Sequence, residues 1–199
     1  GVGFMFAPMH HSAMKHAIGP RKALGLRTIF NILGPMTNPA GVRRMLIGVF
    51  DPSLLRPVAE VLGRLGAEHV LVVNAADGLD EISLAEPTRM AEFRDGAVRE
   101  YSVDSADFGM ERRDLSGLEV DSAEDSLALI RAALGPAGDR SPEARKAADI
   151  IALNAGAALY VAGLATDLAT GVSRARTVID EGGALARLEA LAELSRSLG

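Results

Sequence analysis

The sequence predicts an α/β fold in which a mostly parallel central sheet is flanked by helices. Three observations lead there. Two short apolar runs of buried-strand type, MLIGVF from Met45 and HVLVV from His69, bracket the helix-patterned stretch DPSLLRPVAEVLGRLG. Strand, helix and strand joined by short connections form a right-handed crossover, which pairs the strands in parallel and needs cover on both faces. The last third of the chain is helical in period and rich in Ala, and supplies that cover. With 199 residues, 48% hydrophobic and 24% charged, the chain is long and apolar enough to bury one sizeable core.

In chain order, His11 to about Leu33 reads as two helical stretches meeting near Gly19 and Pro20, where Pro suits a first helical turn. GPMTNP, Gly34 to Pro39, concentrates Gly, Pro, Thr and Asn and predicts a sharp loop that separates two structural units. After MLIGVF, the apolar residues Leu54, Leu55, Val58, Val61 and Leu62 recur at helical spacing. RMAEFRDGAVREYSV has two alternating runs around Asp95 and Gly96, a hairpin signal. Ser122 with Asp125 resembles a capping box, Asp replacing the usual Glu, and opens AEDSLALIRAALG. A long apolar-striped helix is expected from about Pro142 to Leu164, followed by helices from about Asp167 and Ala184. Gly163, Gly171, Gly182 and Gly183 fall between or within these helices and read as caps and packing points.

Composition narrows the function classes. A formal net charge of -5 and a pI near 5.4 attract neither nucleic acid nor an anionic membrane, so an anionic substrate must meet a local positive site. Without cysteine there is no disulfide framework, thiolate nucleophile or Cys-based metal site, and a cytoplasmic location fits. Charged residues interrupt every long apolar segment, so no membrane helix is expected. The opening GVGFMFAPMHH lacks an initiator Met and the charged start of a signal peptide. The expectation is a chain cut from a longer one, or one that pairs with a separate amino-terminal half.

Two features could carry chemistry. NAADGLDEIS leaves the HVLVV strand and puts Asp80 and Glu81 side by side in a loop, at the strand end where open α/β sheets bind ligands. Neighbouring carboxylates repel unless a cation lies between them, and magnesium accepts one or two carboxylates with waters and substrate phosphates. An Asp-Glu pair is also common as a solvated surface feature, and the residues alone favour that reading. The second feature is the basic stretch His10, His11, Lys15, His16, Arg21, Lys22 and Arg27. Arg21 could present its planar fork to a carboxylate, although a solvated helix face is the commoner explanation. Adjacent histidines on a helix diverge by about 100°, so His10 and His11 are poor joint ligands. Walker-type, GxGxxG and GxSxG devices are missing from the sequence.

Taken together, FMFAPMHHSAMKHAIGPRKALGLRTIFNILGPMTNPA closely resembles the signature stretch of anthranilate phosphoribosyltransferases, and ADGLDEIS resembles their magnesium loop. VDSAEDSLALIRAALG and the Ala-rich helix ending in ALYVAGLA extend the similarity over essentially the whole chain. The resemblance implies the two-domain architecture shared by nucleoside phosphorylases and phosphoribosyltransferases. Residues 1–35 would belong to or hinge on a small helical domain lining the anthranilate site, and residues 36–199 would form most of the α/β domain. It further implies a homodimer, a cleft between the domains, and transfer of a phosphoribosyl group from phosphoribosyl pyrophosphate to anthranilate in tryptophan biosynthesis. Residue by residue, Arg21 matches the arginine that pairs with the anthranilate carboxylate, and His11, Met14 and Pro35 match positions lining the acceptor channel. Asp80 and Glu81 match the pair holding two magnesium ions with the pyrophosphate. Arg27, Thr28 and Asn31 are expected to serve hinge and packing roles. The family's GTGGD turn and KHGNR segment do not occur here, and Ser12 stands where Pro is common. Two rival readings are a pyrimidine nucleoside phosphorylase, similar in outline around AMKH and GPMTNP, and an assembly module that is inactive without an amino-terminal half.

Overall fold

A computed structural model describes residues 2–4, 34–38 and 40–198. The two helices expected between His11 and Leu33 lie outside the described residues. Among the described residues four strands, β1 (Arg44–Gly48), β2 (His69–Ala75), β3 (Thr88–Arg94) and β4 (Ala97–Val103), form one sheet in sequence order. β1 pairs β2 in parallel, Arg44 opposite His69, across the helix α1 (Leu55–Arg64); this is the predicted crossover. The other two pairings, β2 with β3 and β3 with β4, are antiparallel. The α/β class and the flanking helices hold, but the sheet among the described residues is mixed rather than mostly parallel. The reason is local: β3 and β4 are joined by Asp95 and Gly96 alone, both at positive φ, 52° and 79°, and a two-residue turn of this kind can only reverse the chain.

β2 is buried along its whole length, and its side chains alternate between two cores. Val70 and Val72 pack with Ile47, Leu55, Val58, Leu62 and Ala91 beneath α1. Leu71 and Val73 face the other way, with Met90, Leu153, Ala157, Val172 and Ile179. That second core belongs to α3 (Pro142–Val161) and α4 (Leu168–Asp180), with Leu134 of α2 (Ala123–Leu134) and, at its edge, Leu185 and Leu188 of α5 (Gly183–Leu198). Each fully buried aliphatic side chain contributes about 1.5–3 kcal/mol relative to exposure.

Caps define the helix ends. Asp51 accepts from Ser53 N at 2.8 Å and opens a 3-10 turn, Pro52–Leu54, ahead of α1; Pro57 then falls in the first turn of α1, where its missing N–H costs nothing. Ser122 accepts from Asp125 N at 3.0 Å as expected. Ser141 and Asp167 cap α3 and α4. A reciprocal capping box, unanticipated in the sequence, joins Asp104 and Asp107 at the 3-10 turn Ser105–Phe108. α3 ends at Val161, short of the expected Leu164, because Gly163 turns left-handed at φ 75°.

The loop expected from Gly34 to Pro39 is corrected at its start. Residues 34–36 are helical, and Thr37 N donates to Gly34 O at 3.3 Å. The chain turns instead at Asn38, whose Oδ1 accepts from Ala40 N at 3.0 Å; Pro35 lacks only an N–H, and that loss is harmless at a helical turn.

Candidate functional site at the carboxyl rim of the sheet

The loop between β2 and β3 is built by its own polar side chains. Asp77 accepts from Leu79 N at 3.0 Å and from Ser83 Oγ at 2.5 Å, closing the turn through Gly78 at φ 92°. Asn154 of α3 grips the far side: its Oδ1 accepts from Ile82 N at 2.9 Å and its Nδ2 donates to Ile82 O at 3.0 Å. At the end of β2, Asn74 Nδ2 donates to Val49 O at 2.8 Å, tying the loop's root to the chain leaving β1. Gly48, the last residue of β1, lies against this loop so closely that a Cβ there would fall on the Asp80 carbonyl.

Of the three acids in ADGLDE, Asp77 is therefore consumed in holding the turn. Asp80 and Glu81 remain, both exposed and neither in a salt bridge with a described residue. The Glu81 carboxyl is pushed above the ordinary 4.5 by loss of water around it and, second, by the negative charge of Asp80. A cation between the two would relieve that repulsion. Among the described residues no group of three or more His, Asp or Glu forms a ready-made metal cage. The donor set that is present, two hard carboxylates open to solvent, fits magnesium, which keeps waters and takes its remaining ligands from phosphates.

Pro35 sits half-buried over the same rim, lining a narrow cleft with Ile47, Gly48, Val49 and Phe50. The structure thus brings Pro35 to Gly48, and Gly48 to the Asp80 backbone. His11, Met14 and Arg21 lie outside the described residues. A larger cavity, about 760 Å³, opens at the opposite end of β2 around Arg44, His69, Arg94 and Tyr160. It shares no residue with the acidic loop, and the carboxylates carry more weight here than cavity size. Asn74, Gly48 and Asn154 were not singled out in the sequence; Asn74 opens the acidic motif itself, whereas Gly48 and Asn154 lie far from it, and no local pattern marks their contacts.

Fold and rim define an α/β protein with a candidate ligand site beyond the carboxyl ends of its strands, where open α/β sheets bind ligands. A family profile described as "Glycosyl transferase family, a/b domain" matches residues 1–185, and the chain belongs to that family. Among its curated relatives, the anthranilate phosphoribosyltransferase of Saccharophagus degradans is 62% identical over 195 residues, 98% of this chain and 57% of the relative. That of Cellvibrio japonicus is 61% identical over 198 residues, 100% of this chain and 57% of the relative. Among solved structures, anthranilate phosphoribosyltransferase from Thermus thermophilus matches with a TM-score of 0.84 at 38% identity, covering 98% of this chain and 56% of that one. The Saccharomyces cerevisiae enzyme in complex with PRPP and Mg matches at 0.80 and 26% identity, covering 98% and 54%. The chain spans somewhat over half the length of the relatives it matches.

Proposed function

We propose that this chain is the acceptor- and magnesium-binding part of an anthranilate phosphoribosyltransferase, which moves the phosphoribosyl group of phosphoribosyl pyrophosphate onto the amine of anthranilate. The observation that carries the reading is the carboxylate pair Asp80 and Glu81, without a cationic partner among the described residues and held at the sheet's carboxyl rim by a loop whose third acid is already used. Relatives near 60% identity bear that enzyme's name, and this favours it over the pyrimidine nucleoside phosphorylase reading.

Asp80 and Glu81 hold magnesium, expected as two ions. Bound magnesium supplies positive charge against the pyrophosphate as it departs. Arg21 pairs with the anthranilate carboxylate and aims the amine at the anomeric carbon, while His11, Met14 and Pro35 line the acceptor's path; orientation of this kind lowers a barrier substantially. Residues 1–35 belong with a small helical domain and residues 36–199 with the α/β domain, and their closure excludes water. The working form is a cytoplasmic homodimer. No described helix is long and apolar enough to cross a membrane.

The test uses the full-length enzyme. Asp80→Asn with Glu81→Gln should abolish magnesium-dependent turnover, and in the same assay Arg21→Ala should raise the anthranilate KM far more than the donor's. Unchanged turnover in the double variant removes the metal role, and equal KM effects in Arg21→Ala remove the acceptor role.

A further inference from the structure

We infer that a second anion site, separate from the acidic rim, lies between α3 and α4. A cavity of about 240 Å³ is lined there by Arg113, Arg140, Arg145, Arg176, Asp149 and Asp180. Four guanidiniums face two carboxylates in a chain whose overall charge is -5, so the positive excess is local.

The pairing inside the cavity leaves that excess uncompensated. Asp149 is shared: Arg113 Nη2 meets its Oδ2, and Arg176 Nη2 its Oδ1 at 3.2 Å. Asp180 is matched by Arg140, Nη1 to Oδ1 at 2.6 Å. Arg140 is also fixed by donating to Gly135 O through Nε at 3.2 Å and Nη2 at 2.8 Å, so its fork is preorganised. Exposed on α3, Arg145 makes no salt bridge with a described residue. One guanidinium of the Asp149 pair and that of Arg145 therefore lack a counter-charge among the described residues.

Arg113 Nε is the one buried side-chain nitrogen or oxygen among the described residues without a hydrogen-bond partner, and it is sealed from water, so an anion in the cavity meets the outer edges of the guanidiniums and not this atom. A tetrahedral oxyanion of the phosphate type fits the charge surplus there, since its oxygens accept from guanidinium forks and its charge balances two cations. Space suffices for such an ion with several waters, each occupying about 30 Å³ in the liquid.

The probe is inorganic phosphate, titrated into the intact protein without magnesium, against chloride at matched ionic strength. Arginine Nε–Hε signals in ¹H–¹⁵N spectra give the readout. Phosphate should shift the Arg113 signal saturably, the Kd rising about tenfold or more in Arg145→Gln or Arg176→Gln and staying near wild type in Arg145→Lys. The shift should persist in Asp80→Asn with Glu81→Gln, which separates this site from the rim. An Arg113 signal that ignores phosphate, responds equally to chloride, or keeps its Kd in both glutamine variants overturns the assignment.

Discussion

Gly48 has no side chain because the Asp80 carbonyl occupies the place where a Cβ would stand. The contact explains how a strand end can set the position of an acidic loop that is remote in sequence. Gly48→Ala must push that loop outward, and a displacement of about 1 Å at a reacting centre can cost about 10²-fold. The expected outcome is a fall of that order in kcat/KM for the full-length enzyme, with raised magnesium requirement; steady-state kinetics over a magnesium series measure both. Asp80 and Glu81 were legible as candidates because adjacent acids after a buried strand form a local pattern. The division of labour that leaves them free was not, since it depends on Asp77 bonding Ser83 and on Asn154 reaching across from α3.

Helices α3 and α4 touch backbone to backbone. A Cβ on Gly156 would overlap the Val172 backbone, and one on Gly171 would overlap the Gly156 carbonyl. Small residues on the buried side of α3, Ala144, Ala148, Ala152 and Ala157, permit the same approach along its length. Gly156→Ala should therefore force the helices apart and destabilise by about 1–3 kcal/mol, as overpacking does. Urea denaturation checks this, and an unchanged midpoint would show that the crossing is looser than described. In the sequence, Gly171 read as a cap or packing point and the Ala-rich helices as cover for the sheet, but which helix met which was not written in either segment. The hairpin was fully legible, because Asp95 and Gly96 encode their own turn.

One buried cluster ties the layers of the molecule together. Glu92 on β3 accepts from Tyr160 Oη of α3 at 2.7 Å and Tyr101 Oη of β4 at 3.1 Å, and lies 2.8 Å from His69 Nε2 of β2. An ionised carboxylate can only accept, so the compatible His69 tautomer carries its hydrogen on Nε2. Burial raises the Glu92 pKa, but hydrogen bonds from Tyr160, His69 and Tyr101 outweigh it, and the net shift is below the ordinary 4.5. A depressed folded pKa means that the contribution to stability is complete above 4.5 and is lost as pH falls through the lower folded value. Burial first, then the Glu92 charge, pushes the Tyr101 phenol upward, so it stays a donor throughout this range. Glu92→Gln should flatten the acid limb of stability against pH. Thermal melts across that limb would show a shallower slope, and a wild-type slope would remove Glu92 from the account.

By itself the sequence determined what depends on neighbours along the chain: the crossover unit, the hairpin, most helix starts and the acid pair, each written in residue period, turn chemistry or adjacency. Tertiary structure alone decided what depends on approach across the fold, namely the mixed sheet, the Gly48 contact, the Asn154 clamp and the arginine-lined cavity. Those arise where side chains from separate segments meet, and packing and charge pairing at such distances leave no local trace in a chain read residue by residue.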